Sequence, residues 1–242
     1  MPEPETEAGS GLAAVIFDWG GTLTRWHDID FHEESLALAQ AVVGSDHDLH
    51  ASAARLHRAG EVVWGWSRDH QRSATVADLF TQAGLDHDPD LLSGYHGFWE
   101  PHTQTDPAVR PLFEALRERG LRIGVLSNTI WPRAWHREIF ERDGVLDLID
   151  GDVYTSEIPW TKPSARAFAA AREAVGVDRP EACVYVGDRL FDDVWGAQEA
   201  GMRAIHIPHS VIPHAQRGHA EGVPDAVAAT LAEIPALVDA WR

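Results

Sequence analysis

The sequence predicts an α/β protein with a doubly wound parallel sheet and a helical segment inserted after the first strand. Four short apolar runs, each followed by polar residues or glycine, are typical of buried strands. Helical segments that end at glycine separate the later runs. Because strands that alternate with helices favour a parallel sheet, we expect the reactive loops at the carboxyl ends of the strands.

The elements follow in chain order. The predicted strands cover residues 12–17, 121–126, 183–186 and 204–207. The predicted helices between the later strands cover residues 108–119, 164–175 and 192–200, and each is followed by a glycine (Gly120, Gly176 and Gly201). Residues 225–241 have the pattern of a closing amphipathic helix.

The segment between the first strand and residue 106 has a different pattern, with apolar residues at helical spacing and no convincing strand. These residues are Leu36, Ala39, Val43, Leu49, Ala53, Leu56, Val76, Leu79 and Phe80. The predicted division is a catalytic core of residues 11–24 and 106–242, an all-helical cap domain of residues 25–105 and a flexible N-terminus of residues 1–10. Both connections of the cap lie beside the first strand, so the cap is placed to close over the reactive loops as a lid.

Composition excludes several classes of function. With 242 residues, of which 44% are hydrophobic and 24% charged, the chain has the make-up of a soluble globular protein. The longest apolar runs are too short to span a membrane, and the acidic N-terminus lacks the basic region of a secretion signal, so we expect no membrane partner. The net charge of -18 disfavours nucleic acid. The single cysteine, Cys183, has apolar neighbours that predict a buried strand thiol, which is consistent with a cytoplasmic location.

Four polar loop features follow apolar strands or begin helices. They are the segment 18–22 (Asp-Trp-Gly-Gly-Thr), the segment 127–129 (Ser-Asn-Thr), the pair Lys162 and Pro163, and Gly187 and Asp188 with Asp192 and Asp193. Each alone is more often an ordinary turn or helix cap. In a parallel sheet they would converge at one edge, and their order and spacing together form a strong signal for a catalytic site. Lys162 is the only lysine in the chain, which otherwise uses arginine.

At these motifs the chain resembles the haloacid dehalogenase-like (HAD) hydrolase superfamily, in the branch with a helical cap after the first motif. The resemblance extends over residues 13–237 and includes the stretches LRERGLRIGVLSNT and CVYVGDRLFDDVWGAQEAGM. It implies a Rossmann-like core and a magnesium-dependent hydrolase. The implied reaction is phosphatase chemistry on a small phosphorylated substrate.

The resemblance also implies roles for individual residues. Asp18 would attack phosphorus and form an aspartyl-phosphate. Mg²⁺ would be bound by Asp18, the backbone carbonyl of Gly20 and Asp188. The expected phosphate-binding residues are Gly21, Thr22, Ser127, Asn128 and Lys162. Asp193 would hold Lys162 or a metal-bound water.

Two of these assignments have alternatives. Ser127 could instead be the N-cap of the helix that follows. Asp192 could replace Asp193, or could complement the dipole at a helix N-terminus.

The chain departs from the family pattern at Gly20, where most phosphatases of the superfamily have a second aspartate that protonates the leaving group. Loss of a positioned acid is expected to cost about 10²–10⁴-fold in rate. Phosphonoacetaldehyde hydrolases, which use a cap lysine, are excluded because the cap has no lysine. Haloacid dehalogenases are set aside because they lack the Gly-Asp pair supplied here by Gly187 and Asp188.

Two explanations of Gly20 stay open for an enzyme. Its substrates either have leaving groups that need no proton, or the cap supplies a substitute acid. The candidates for that acid are His27, Asp28, Asp30 and His32. The competing hypothesis is a catalytically weak phosphate- and Mg²⁺-binding regulatory protein.

Aromatic residues are frequent in the predicted loops at the mouth of the site. These tryptophans are Trp19, Trp26, Trp131, Trp135, Trp160 and Trp195, with Trp64, Trp66 and Trp99 in the cap. They indicate either packing of the cap on the core or a dry pocket for a substrate with an aromatic or apolar group. The histidines near the C-terminus, His206, His209, His214 and His219, lack compact metal-ligand spacing and are predicted to lie on the surface.

Overall fold

A computed structural model describes residues 11–42, 48–213 and 218–242, and it contains a six-stranded parallel sheet. The strands are β1 (Ala14–Phe17), β2 (Arg122–Ser127), β3 (Gly151–Tyr154), β4 (Cys183–Gly187), β5 (Arg203–His206) and β6 (Ala226–Val227). Their spatial order is β3-β2-β1-β4-β5-β6, and every neighbouring pair is parallel. The predicted α/β fold with a doubly wound sheet is confirmed.

Strand β1 lies at the centre of the sheet and is buried on both faces. Val15 and Phe17 pack into one hydrophobic layer, whereas Ala14 and Ile16 pack into the other. This division follows from the alternation of side chains along a strand, and it explains why β1 reads as a continuous apolar run. Cys183 is buried in β4, as predicted, and burial raises the pKa of its thiol to about 11.

The segment between β1 and residue 106 is helical, and no named strand lies in its described part. Its helices are α1 (Phe31–Ala39), α2 (Leu49–His70), α3 (Val76–Ala83) and α4 (Ser93–Trp99). Val76, Leu79 and Phe80 are all buried on α3, as their spacing indicates, whereas Leu49 at the start of α2 is exposed. Val43 lies outside the described residues. The boundaries of a separate cap domain stay a prediction.

The two ends of this helical segment lie side by side. Thr24 and Thr105 form an antiparallel bridge, and the Thr24 hydroxyl donates to the carbonyl of Gln104 at 2.8 Å. The backbone N–H of Asp106 donates to the carbonyl of Leu23 at 2.8 Å. The chain therefore leaves and re-enters the sheet layer at one place, directly after β1.

The remaining helices follow the re-entry of the chain at Asp106. They are α5 (Val109–Glu118), α6 (Arg133–Arg142), α7 (Ala165–Ala174), a π-helical turn (Leu190–Trp195) continued by α8 (Gly196–Glu199), and α9 (Ile234–Asp239). The predicted closing helix over 225–241 is wrong in its first half, because Ala226 and Val227 pair with β5. Helix α9 begins only at Ile234, where Pro235 suits the first turn of a helix. In the described ranges, no helix is long and apolar enough to cross a membrane.

Candidate active site

The site lies where the strand order reverses, at the carboxyl ends of β1 and β4. Strand β1 pairs with β2 on one side and β4 on the other, which makes this edge the topological switch point of the sheet. In open parallel sheets, ligands bind in the crevice at that point. Asp18 directly follows β1 and Asp188 directly follows β4, so the two carboxylates meet in the crevice.

The carboxylate of Asp18 is almost fully buried and is held from both sides. Oδ1 accepts a hydrogen bond from Lys162 Nζ at 2.6 Å, and Oδ2 lies 3.3 Å from the donating hydroxyl of Thr22. The backbone N–H of Asp18 donates to the carbonyl of Val186 at 2.9 Å, which joins the end of β1 to β4. Burial raises the pKa of Asp18 to about 6, although Lys162 acts to lower it.

Lys162 is buried, and all three of its ammonium protons have partners. Nζ donates to Asp18 Oδ1 at 2.6 Å, to Asp193 Oδ1 at 2.6 Å and to the hydroxyl of Tyr185 at 3.0 Å. Burial acts to lower the pKa of Lys162, but Asp18 and Asp193 raise it well above its usual value. The ammonium is therefore a fixed positive charge between two carboxylates.

Asp193, rather than Asp192, occupies the second acidic position at Lys162. Asp193 is fully buried, and its Oδ2 accepts from the backbone N–H of Arg189 at 2.9 Å. A Cβ at Gly187 would collide with the Asp193 side chain, so this close approach requires glycine. Asp192 is partly buried, and burial raises its pKa.

Three carboxylates gather in this crevice with one cation among them. Asp18, Asp188 and Asp193 each offer one oxygen, and these oxygens lie within 4.8 Å of one another. Burial, together with the charges of Asp18 and Asp193, raises the pKa of Asp188 to about 8. Lys162 offsets only part of this negative charge.

This cluster fits a divalent cation. Oδ1 of Asp188 is buried and has no hydrogen-bonding partner among the described residues. An unpaired buried carboxylate oxygen is costly unless a cation takes it. A donor set made only of carboxylate oxygens suits hard cations such as Mg²⁺. The predicted third ligand, the carbonyl of Gly20, stays a prediction.

The loop after β2 lies against the loop of Lys162. Asn128 Nδ2 donates to the carbonyl of Lys162 at 3.1 Å, and Asn128 Oδ1 accepts from the backbone N–H of Lys162 at 2.8 Å. The Ser127 side chain is buried at the end of β2. Helix α6 begins only at Arg133 with Pro132 as its N-cap, so the alternative assignment of Ser127 as an N-cap is wrong.

Residues 12–201 match the sequence profile of the haloacid dehalogenase-like hydrolases. The chain belongs to this family of hydrolases.

A glyceraldehyde 3-phosphate phosphatase of Methanopyrus kandleri is 30% identical to this HAD hydrolase over 88% of this chain and 91% of the relative. A phosphoglycolate phosphatase of Cereibacter sphaeroides is 28% identical over 66% of this chain and 70% of that protein. Among solved structures, a HAD phosphatase of Thermococcus onnurineus superposes with a TM-score of 0.64 and 26% identity, covering 94% of this chain and 98% of that one.

The first motif of this HAD hydrolase turns tightly after Asp18. The carbonyl of Trp19 accepts from the backbone N–H groups of Leu23 and Thr24 at 2.9 and 3.1 Å. Gly21 has a φ of +88°, and a Cβ there would collide with Asp188 and Trp26, so this position requires glycine. Gly20 differs, because the atom nearest to a Cβ at Gly20 would be Trp26 Cη2 at 3.6 Å, an ordinary contact.

The four candidates for a substitute acid in the HAD hydrolase are all exposed. They are His27, Asp28, Asp30 and His32. Asp30 is the N-cap of α1 and accepts from the backbone N–H groups of His32 and Glu33. His27 lies beside His102, with ring centroids 5.4 Å apart. These contacts do not join the side chains to the carboxylate cluster, so a substitute acid among the four residues stays a prediction.

Several contacts at the site were not predicted from the sequence. Trp26 Nε1 donates to Asp188 Oδ2 at 2.6 Å, and the hydroxyl of Tyr185 contacts Lys162. His206 and His209, which were predicted to lie on the surface, are partly buried. His206 Nε2 lies 3.0 Å from the carbonyl of Asp188, and His209 Nε2 lies 3.0 Å from the carbonyl of Gly21. His219 is exposed, as predicted, and His214 lies outside the described residues.

Four of the tryptophans, Trp19, Trp99, Trp131 and Trp135, pack against one another. Trp131 lies between the others, and its ring centroid is 5.8 Å from that of Trp19 and 5.2 Å from that of Trp99. The loop after β2 therefore contacts the helical segment. Trp131 Nε1 also donates to the hydroxyl of Tyr95 on α4 at 3.2 Å. Trp66 on α2 is exposed, as is Trp64. These contacts favour cap-to-core packing, and a preference for aromatic substrates stays a prediction.

Proposed function

We propose that this HAD hydrolase is a magnesium-dependent phosphatase that transfers the phosphoryl group of a small organic phosphate to Asp18 and then to water. The observation that carries the proposal is the buried pairing of Asp18 with Lys162, beside an Asp188 oxygen that has no partner among the described residues. A purely structural ion pair would not need the additional, unneutralised carboxylate. The names of the relatives, phosphatases of glyceraldehyde 3-phosphate and of phosphoglycolate, support a small phosphorylated substrate.

The first chemical step forms a bond between a carboxylate oxygen of Asp18 and phosphorus. The bond from phosphorus to the leaving oxygen breaks, and its electron pair stays on that oxygen. Lys162 and the hydroxyl of Ser127 would stabilise the charge on the phosphoryl oxygens. A bound Mg²⁺, held by Asp18 and Asp188, would offset the repulsion between the Asp18 carboxylate and the anionic substrate.

The second step returns Asp18 to its free form. A water oxygen attacks phosphorus, the bond to Asp18 breaks, and inorganic phosphate leaves. The first step needs a proton for the leaving oxygen, and the second step needs removal of a proton from water. The position that usually holds the aspartate for these transfers is Gly20 in this chain. We therefore propose that substrates with good leaving groups, such as acyl or aryl phosphates, react fastest.

Hydrolysis of an activated aryl phosphate tests this function. Wild-type turnover is expected to require Mg²⁺, and Asp18→Asn is expected to lose it. An exposed aspartate on α2 provides the matched control, because Asp69→Asn makes the same chemical change away from the site and keeps wild-type turnover. Gly20→Asp is expected to raise the rate with alkyl phosphates more than with aryl phosphates, by up to about 10²–10⁴-fold.

The same assay separates the enzyme from the regulatory alternative. Mg²⁺-dependent turnover that survives in Asp18→Asn would contradict the nucleophile. A wild-type chain that binds Mg²⁺ and phosphate without turning over any aryl phosphate would instead favour the weak binding protein.

A further inference from the structure

Trp26 joins three loops around the carboxylate cluster. Its indole Nε1 donates to Asp188 Oδ2 at 2.6 Å, and its backbone N–H donates to the hydroxyl of Ser210 at 2.7 Å. The guanidinium of Arg189 lies 5.2 Å from the centre of its ring, within the range of a cation–π interaction. Trp26 is thus held by the loops that follow β4 and β5, although it belongs to the segment after β1.

The hydrogen bond from Trp26 makes the two oxygens of Asp188 different from each other. Oδ2 is occupied by the indole, whereas Oδ1 is buried and has no hydrogen-bonding partner in the described part of the chain. A carboxylate that is held at one oxygen cannot rotate freely, so its other oxygen keeps one direction. Hydrogen bonds of this kind orient metal ligands in many proteins.

The first motif leaves room for this hydrogen bond. A Cβ at Gly21 would collide with both Trp26 Nε1 and Asp188 Oδ2. The indole therefore passes close to the backbone of Gly21 to reach Asp188. The ring of Trp26 also faces Gly20, where a Cβ would meet Cη2 at 3.6 Å and Cζ2 at 3.9 Å.

We infer that Trp26 is a positioning residue for the divalent cation, because its indole N–H holds Asp188 with one oxygen presented to the metal. This inference rests on the proposed function, which supplies the metal. The effect is on metal affinity rather than on the chemical step.

Two substitutions separate the N–H donor from the bulk of the ring. Trp26→Phe keeps a ring but removes the donor, whereas Trp26→Gln keeps an N–H donor but removes the ring. If the donor matters, the Kd for Mg²⁺ increases in the order wild type, Trp26→Gln, Trp26→Phe. The expected loss in Trp26→Phe is about 10–100-fold. Trp64→Phe, at an exposed tryptophan of α2, is the matched control and keeps the wild-type Kd.

Isothermal titration of Mg²⁺ into each full-length variant gives the Kd, and the Tm of the metal-free protein reports folding. A purely structural role for the ring would make Trp26→Gln the weaker binder of the two variants, which overturns the inference. An unchanged Kd in Trp26→Phe overturns it as well. If the wild-type protein itself does not bind a divalent cation, the metal requirement of the proposed function is wrong. The titration of the wild-type protein alone shows this, so the two failures can be distinguished.

Discussion

At the scale of single residues, the site is organised by one ammonium group. Lys162 contacts the proposed nucleophile and Asp193 at the same distance of 2.6 Å, and the hydroxyl of Tyr185 accepts its third hydrogen bond. An arginine could not replace it easily, because a planar fork does not direct three donors around one point. This geometry explains why the single lysine of an arginine-rich chain lies here.

Removal of this ammonium group is expected to destabilise the fold as well as the site. Lys162→Met leaves Asp18 and Asp193 buried without their cation, which costs about 3–5 kcal/mol of unfolding free energy. Urea denaturation of the wild type and the variant measures this loss of unfolding free energy. Arg117→Met is the control, because the ion pair of Arg117 with Asp150 is partly exposed and is worth about 0–1 kcal/mol.

The loss in Lys162→Met is also expected to depend on pH. Burial raises the pKa of Asp18 to about 6 even beside Lys162, so the folded protein takes up a proton at a higher pH than the unfolded chain. Ionisation of Asp18 therefore lowers the stability as the pH rises from 3.8 towards 6. Because Lys162 acts to lower this pKa, its removal extends the loss to higher pH. The free energy of unfolding that Lys162→Met loses relative to wild type is therefore larger at about pH 8 than at about pH 5. A deficit that is equal at both values would contradict this account of the charge balance.

A buried histidine next to the first motif predicts an acid-sensitive fold. His136 is fully buried on α6, with its ring 4.2 Å from Tyr154 and 4.5 Å from Trp19, and burial lowers its pKa from 6.5 to about 3. Below pH 6.5 the unfolded chain binds a proton that the folded protein does not. The stability that depends on a neutral His136 is therefore lost as the pH falls from 6.5 towards 3, by about 1.4 kcal/mol per pH unit.

The change His136→Phe tests this contribution, because phenylalanine keeps a ring and cannot take up the proton. The variant is expected to gain about 2 kcal/mol relative to wild type when the pH is lowered from about 7.5 to about 5. Unfolding free energies from urea denaturation at both values give the difference. Curves for the two proteins that run parallel across this range would contradict the prediction.

The motif residues of the site can be predicted from the sequence more readily than the side chains that contact them in the fold. Asp18 and Asp188 could be predicted because each directly follows an apolar strand. Trp26 and Tyr185 could not, since a tryptophan in a loop and a tyrosine inside a buried strand have no distinctive spacing. Their roles depend on which loops meet in space, as the contact between Trp26 and Asp188 shows.

At the scale of elements, close approach between β4 and the turn after it places Asp193 against Lys162. The predicted strands at 12–17, 121–126, 183–186 and 204–207 are all present with small shifts at their ends. Strand β3 is absent from the predicted strands, because it contains Asp152, whose buried charge is paired with Arg133 and Arg137. A partner of this kind cannot be read from a hydrophobic pattern.

The change Gly187→Ala tests this close approach. An added Cβ collides with the Asp193 side chain, so the turn must shift, at a cost of about 1–3 kcal/mol and with loss of turnover. In contrast, Gly65→Ala on α2 adds a Cβ to open space and is expected to be neutral or stabilising by about 0.5–1 kcal/mol. Denaturation curves of the two variants, with the aryl phosphate assay, provide the comparison. Wild-type stability in Gly187→Ala would show that the turn is not tightly constrained.

At the scale of the whole molecule, the sheet topology explains why residues from distant parts of the sequence form one site. The end of β1 supplies the proposed nucleophile, the end of β4 supplies the proposed metal ligand, and the loop before α7 supplies the lysine. The alternation of strands and helices predicted this convergence. It could not predict the packing of Trp131 against Trp99 between the sheet loops and the helical segment, because both side chains have several possible partners.

The central claim is that Asp18 becomes phosphorylated during turnover. Acid quenching of the wild-type protein while it turns over an aryl phosphate with Mg²⁺, followed by mass spectrometry of its peptides, tests it most directly. The expected result is one phosphoryl group on the peptide that contains Asp18, sensitive to hydroxylamine and absent, together with turnover, in Asp18→Asn. A phosphoryl group on a different residue, or wild-type turnover in Asp18→Asn, would contradict the claim.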